Sequence, residues 1–123
     1  MGQSTDAILV YGVDLGEDEL PEALVFNDED DGDTEESKPI AYALYMGRPL
    51  PSGVTIVNHC SDSCTMRIIA IEASELRAWR GHPKEVPTLV AKPEWDAAID
   101  EFAAEHGITL PKRPAWLLAS WWS

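Results

Sequence analysis

His59-Cys60-Ser61-Asp62-Ser63-Cys64 sets an imidazole and two thiols within six residues, and His82 follows in the next loop. Thiolate sulfur and neutral imidazole are the ligands zinc prefers, and two cysteines across a turn could supply half of a tetrahedral site. The Cys-x3-Cys spacing occurs once, with no second pair, so Cys60, Cys64 and His82 form only a minor metal alternative. A hairpin disulfide and two ordinary buried thiols are the other readings, and the expectation is two cysteines flanking a turn with no metal. Either cysteine can be combined with His82 and Asp62 as nucleophile, base and orienting acid, but almost any small protein with these residue types permits that. There is no Gly-rich phosphate loop, nucleophile elbow or diagnostic carboxylate pair, so the chain reads as non-enzymatic and without a cofactor.

Two charged stretches offer binding rather than catalysis. Arg77, Arg80, His82 and Lys84 put four potentially cationic side chains into eight residues, which suits a small anionic, phosphorylated ligand. An ordinary surface loop balancing nearby acids is the plain alternative. The acids are placed far more unevenly: the first 37 residues hold 13 Asp and Glu and no Lys or Arg, whereas from Lys38 onward 9 acids meet 9 bases. The net charge of −13 is therefore local. Asp14, Glu17, Asp18, Glu19, Asp28, Glu29, Asp30, Asp31, Asp33, Glu35 and Glu36 are the candidate partner-binding carboxylates. Asn27 to Asp33 imitates the first half of an EF-hand loop, but the twelfth position, where a bidentate acid is needed, falls on Lys38, so calcium is not expected.

A field of this sign repels nucleic acid and anionic membranes and attracts basic surfaces. Closely spaced carboxylates can also stand in for nucleic-acid phosphates, which present one charge per about 1.7 Å of duplex. No basic patch with interleaved aromatics is apparent, so a basic protein, and not nucleic acid or a membrane, is the expected partner.

The elements that must position these groups are legible in outline. The length fits one domain over residues 1–123, with an acidic flexible segment at about 14–37. No leader-like segment or long apolar run is present, and two cysteines fit a reducing compartment, so a cytoplasmic location is expected. Ala7 to Val13 reads as a strand, and Glu22 to Phe26 as a short second one that Pro21 confines to an edge or a strand start. Ser37 and Pro39 open a short helix that Gly47 stops. Val54 to His59 and Thr65 to Ile71 form a hairpin, and residues 77–91 are irregular. Trp95, Ala98, Ile99, Phe102 and Ala103 recur at helical spacing, predicting a helix from Pro93 to His106 capped by Gly107. Ala115 to Trp122 closes the chain as a strand. The expected fold class is α+β, a small antiparallel sheet of about four strands with one main amphipathic helix on one face. Along the last strand Trp116 and Trp122 project to one side and Trp121 to the other. Trp116 is expected in the core, while Trp121 and Trp122 are candidates for a partner site or a homodimer contact.

Tyr11-Gly12-Val13-Asp14-Leu15-Gly16, the strand ending in Cys60-Ser61, Arg80-Gly81, Pro93-Glu94-Trp95-Asp96 and Pro114-Ala115-Trp116-Leu117-Leu118-Ala119-Ser120 together resemble a group of small proteins of phages and their actinobacterial hosts. The resemblance touches both ends of the chain but not its middle, and implies a phage accessory protein working in the host cytoplasm. It carries over no functional residue. Combined with the acidic run, it leads to an expected inhibitor of a host nuclease or CRISPR-type effector that mimics nucleic acid. The competing expectation is a module for an anionic ligand or metal, centred on the Cys60 to Cys64 hairpin and the Arg77 to Lys84 loop.

Overall fold

β1 (Thr5–Gly16) is the strand around which the sheet is organised in this computed structural model, which describes residues 5–27 and 33–122. One edge of β1 pairs with β5 (Ala115–Trp122), from Thr5 opposite Trp122 to Gly12 opposite Ala115. Its other edge is shared: β4 (Leu76–Trp79) takes Asp6 to Leu9, and β3 (Thr65–Ile71) takes Gly12 to Gly16. β3 is the second arm of the hairpin with β2 (Val54–Ser61), in the register Val54 opposite Ile71 and Cys60 opposite Thr65. Cys60 and Ser61 then meet Trp121 and Trp122 of β5 in a short parallel contact. The pairings form a ring, β1 to β3 to β2 to β5 and back to β1. The fold is α+β, a five-stranded mixed sheet with α1 (Pro39–Tyr45) and α2 (Pro93–Glu105).

Alternation along β1 explains why there are two cores. Ile8 and Val10 face one side with Val57, Ile68 and Ala70, backed by Leu117, Ala119 and Trp121. Tyr11, Val13 and Leu15 face the other with Val54, Ile69 and Ile71. This second side is covered by α2 through Ile99, Phe102 and Ala103, as the helical spacing predicts. Full burial of a side chain such as Ile99 contributes about 1.5–3 kcal/mol. Gly107 ends α2 at φ +69, and the Ile108 N–H reaches back to the Ala103 carbonyl at 2.8 Å.

Gly12 has a different role. A Cβ there would fall on the carbonyl oxygen of Ile69 and 2.8 Å from the Cα of Ala70. Only glycine lets β1 cross from β5 to β3 at that distance.

The structure also corrects parts of the sequence reading. A fifth strand, β4, runs from Leu76 into the start of the stretch read as irregular. Glu22–Leu24 is a 3-10 turn rather than an edge strand, because Leu24 must turn inward to be buried. α1 starts from Lys38 with Pro39 in its first turn, so Lys38 and not Ser37 stands at the N-cap. β1 runs three residues past Val13, so Asp14 and Leu15 of the acidic segment belong to the sheet.

Candidate functional site

The acidic residues are held at the C-terminal end of β1. Leu15 is buried and Leu20 and Leu24 pack on the helix-side core, so the chain between them is fixed at both ends. Phe26 continues this attachment, its ring 5.1 Å from Tyr42 and 5.2 Å from Tyr45. The carboxylates then separate into two kinds. Asp14 accepts the Gly16 N–H at 3.0 Å and lies 2.9 Å from His59 Nε2. Asp33 accepts the Asn27 N–H at 2.8 Å and faces Lys38 Nζ at 3.2 Å, which together hold its carboxyl below the usual range. The same ammonium reaches the Val25 carbonyl at 3.2 Å and lies 4.0 Å from Glu22, so Lys38 serves as the tie of the segment. Glu35 pairs with Arg48 at 3.6 Å.

Glu17, Asp18, Glu19 and Glu36 form the second kind. All four are exposed, and among the described residues none pairs with a cation. Glu17-Asp18-Glu19 sits between the buried Leu15 and the half-buried Leu20, with the Asp18 N–H directed at the Leu15 carbonyl at 3.4 Å. Asp28, Glu29, Asp30 and Asp31 lie outside the described residues, as does most of the EF-hand-like stretch.

The cysteine hairpin joins this acidic end. Cys64 Sγ donates to Glu17 Oε1 at 3.5 Å. That hydrogen bond first, and then the charge of Glu17, push the Cys64 thiol up from its ordinary value. A field of this sign keeps the proton on sulfur, the reverse of what a nucleophile or a zinc ligand requires. Both cysteines are free thiols. Cys60 is the only non-glycine residue at positive φ among the described residues, at +77, and it sits where β2 leaves β3 and meets Trp121. The left-handed backbone there provides the bend that closes the ring. No group of three or more His, Cys, Asp or Glu side chains among the described residues is arranged to hold a metal ion.

His82 belongs to a different place. It lies on the tight turn after β4, where its N–H bonds the Trp79 carbonyl at 2.9 Å and Gly81 has φ +82. With Arg80, Lys84, Trp79 and Asp6 it lines a cavity of about 520 Å³. Arg77, grouped with these cations in the sequence reading, is not among the lining residues and is paired instead, 3.3 Å from Asp6 and 3.9 Å from Glu75. The hairpin and the cationic loop, joined in the competing expectation, line two different cavities, His59 and Cys60 one and Arg80, His82 and Lys84 the other. Trp79 and Asp6 are among the lining residues that sequence reasoning missed, with Thr5 and Pro83. An aromatic next to Arg80 was a readable signal for the first, whereas Asp6 lies next to an apolar run and shows itself only through pairing opposite Trp79.

The terminal tryptophans alternate as the strand requires. Trp116 packs against Tyr11 and Trp95 at centroid distances of 5.6 and 6.1 Å, Trp121 backs the core of Ile8 and Val10, and Trp122 is 52% exposed.

No protein-family model matches this chain, and neither a curated protein nor a solved structure is detectably similar to it. No helix among the described residues is long and apolar enough to cross a membrane.

Proposed function

We propose that this is a non-enzymatic binding protein whose acidic face docks on a basic surface of another protein, of the kind that handles nucleic acid, and blocks it. The observation that carries this reading is Glu17-Asp18-Glu19. Three consecutive exposed carboxylates have no cationic partner among the described residues, yet the chain is fixed on either side by Leu15 and Leu20. Solubility alone needs charge but no fixed position for it, whereas recognition of a partner gains from carboxylates held in place before contact. Asp14, next to this stretch, also has its position set, by His59. The resemblance to phage proteins supplies the setting, a host cytoplasm in which a nuclease or CRISPR-type effector offers such a basic groove.

The test uses the full chain as bait in an actinobacterial lysate at low salt, followed by a competition assay with the captured protein. The reading requires that the chain displace DNA or RNA from that protein, and that Glu17→Gln/Asp18→Asn/Glu19→Gln lose most of this effect. A captured partner that binds nucleic acid equally well with and without the chain would contradict it.

A further inference from the structure

We propose that the cavity beside Trp79 binds a mononucleotide whose base carries an exocyclic amine, with the base on the indole and the phosphate on Arg80 and Lys84. Three independent features of the cavity lead to this class of ligand. The first is an aromatic platform: Trp79 is 53% exposed at the end of an edge strand, where burial elsewhere in the fold does not account for it. The second is positive charge. In a chain with 22 acids and 9 Lys and Arg, neither Arg80 nor Lys84 has a carboxylate within ion-pair distance among the described residues, and both line the cavity. The third is an acceptor without a donor. Asp6 is 8% exposed and lines the same cavity; Arg77 satisfies its Oδ2, but Oδ1 has no hydrogen-bond partner.

The sheet register relates these parts to one another. Asp6 and Trp79 are directly opposite residues of β1 and β4, so their side chains leave the sheet on the same face. A flat ring stacked on Trp79 can turn its edge toward Asp6, whose Oδ1, closed to solvent in this structure, must swing outward to take an amine as the donor it lacks. Arg77 balances the charge of Asp6, which leaves Arg80 and Lys84 as the net charge of the pocket. Lys84 Nζ now lies over the indole, 5.3 Å from the ring centroid. Its flexible stem can swing aside as a base arrives and carry the ammonium to the phosphate. An anion alone would make no use of Trp79, and an apolar aromatic would leave the cations idle. A long polyanion would meet the repulsion of the whole −13 charge, which a mononucleotide meets least.

The experiment is isothermal titration calorimetry of the full chain with three probes: adenosine 5′-monophosphate, purine riboside 5′-monophosphate, which lacks the amine, and inorganic phosphate. The expected result is saturable one-to-one binding of the first at or below about 1 mM, binding of the second about tenfold weaker, and none of the third in that range. Trp79→Ala, checked for folding by circular dichroism, should weaken the first about tenfold or more, since stacking is lost. Arg80→Ala/Lys84→Ala should do the same by removing the phosphate contacts. No binding of adenosine monophosphate overturns the proposal. So does equal binding of phosphate, equal binding of the amine-free analogue, or an unchanged affinity in folded Trp79→Ala.

Discussion

Replacing Tyr11 with Phe keeps a ring in the core but removes the proton that ties the sheet to its helix. Tyr11 is 6% exposed, and its hydroxyl donates to Asp96 Oδ1 of α2 at 2.6 Å, with the Pro114 carbonyl oxygen 3.3 Å away. The ring stays between Trp95 and Trp116, at 5.7 and 5.6 Å, so packing changes little. A hydrogen bond to a charged acceptor contributes about 1.5–3 kcal/mol net, and because Asp96 is only half-buried, water can recover part of it; about 2 kcal/mol is the expected loss. For a chain of this size that corresponds to a fall in Tm of roughly 6–12 °C. The pH dependence provides a second, independent reading. The bond to Asp96, then burial and the charge of Asp96, push the Tyr11 hydroxyl up to about 12. An unfolded tyrosine titrates near 10, so above that pH the unfolded chain has released a proton that the folded protein still holds. The stabilisation is therefore complete below pH of about 10 and is lost as pH rises toward about 12. Tyr11→Phe has no such loss, so the two proteins should converge in that window. Denaturant unfolding followed by circular dichroism from pH 7 to 12 measures both effects. A variant within about 0.5 kcal/mol of the parent at pH 7, or a gap that persists unchanged to pH 12, would refute the assignment.

Other substitutions test the packing. Gly12→Ala forces β1 and β3 apart, because the new methyl meets the backbone of Ile69 and Ala70 and not a movable side chain; a loss of about 3 kcal/mol or more is expected by denaturant unfolding. Ile99→Ala, at a fully buried position of α2, should cost about 2–5 kcal/mol in the same assay. Trp122→Ser should cost less, about 1–2 kcal/mol, since half of that residue already faces water.

How much of this was readable depended on whether the signal was local. α2 and β5 follow from residue spacing, since Trp95, Ile99 and Phe102 must share one face of a helix, and Trp116 and Trp121 must take opposite faces of a strand, whatever they pack against. The β2 and β3 hairpin is local for the same reason. β4 was not legible: four residues between two bends carry no period, and Leu76–Trp79 is a strand only because the first half of β1 offers it an edge. The need for Gly12 depends on a contact 57 residues away, with Ile69. In the acidic segment the charge was plain, but its attachment was not. His59 and Cys64 contact Asp14 and Glu17 across 45 and 47 residues, and no composition reveals such pairs. The cationic loop was visible as charge, whereas the addition of Asp6 follows only from strand pairing and the neutralisation of Arg77 only from its ion pairs with Asp6 and Glu75.

Association kinetics with the captured partner test the central claim most directly. The full chain and Glu17→Gln/Asp18→Asn/Glu19→Gln are compared by surface plasmon resonance from about 50 mM to 1 M salt, over which the screening length shrinks to about 3 Å. The account expects the parent to associate about tenfold or more faster than the variant at low salt, with the advantage disappearing at high salt. Equal association rates at low salt would contradict it and leave the carboxylates of Glu17-Asp18-Glu19 as a solubility feature.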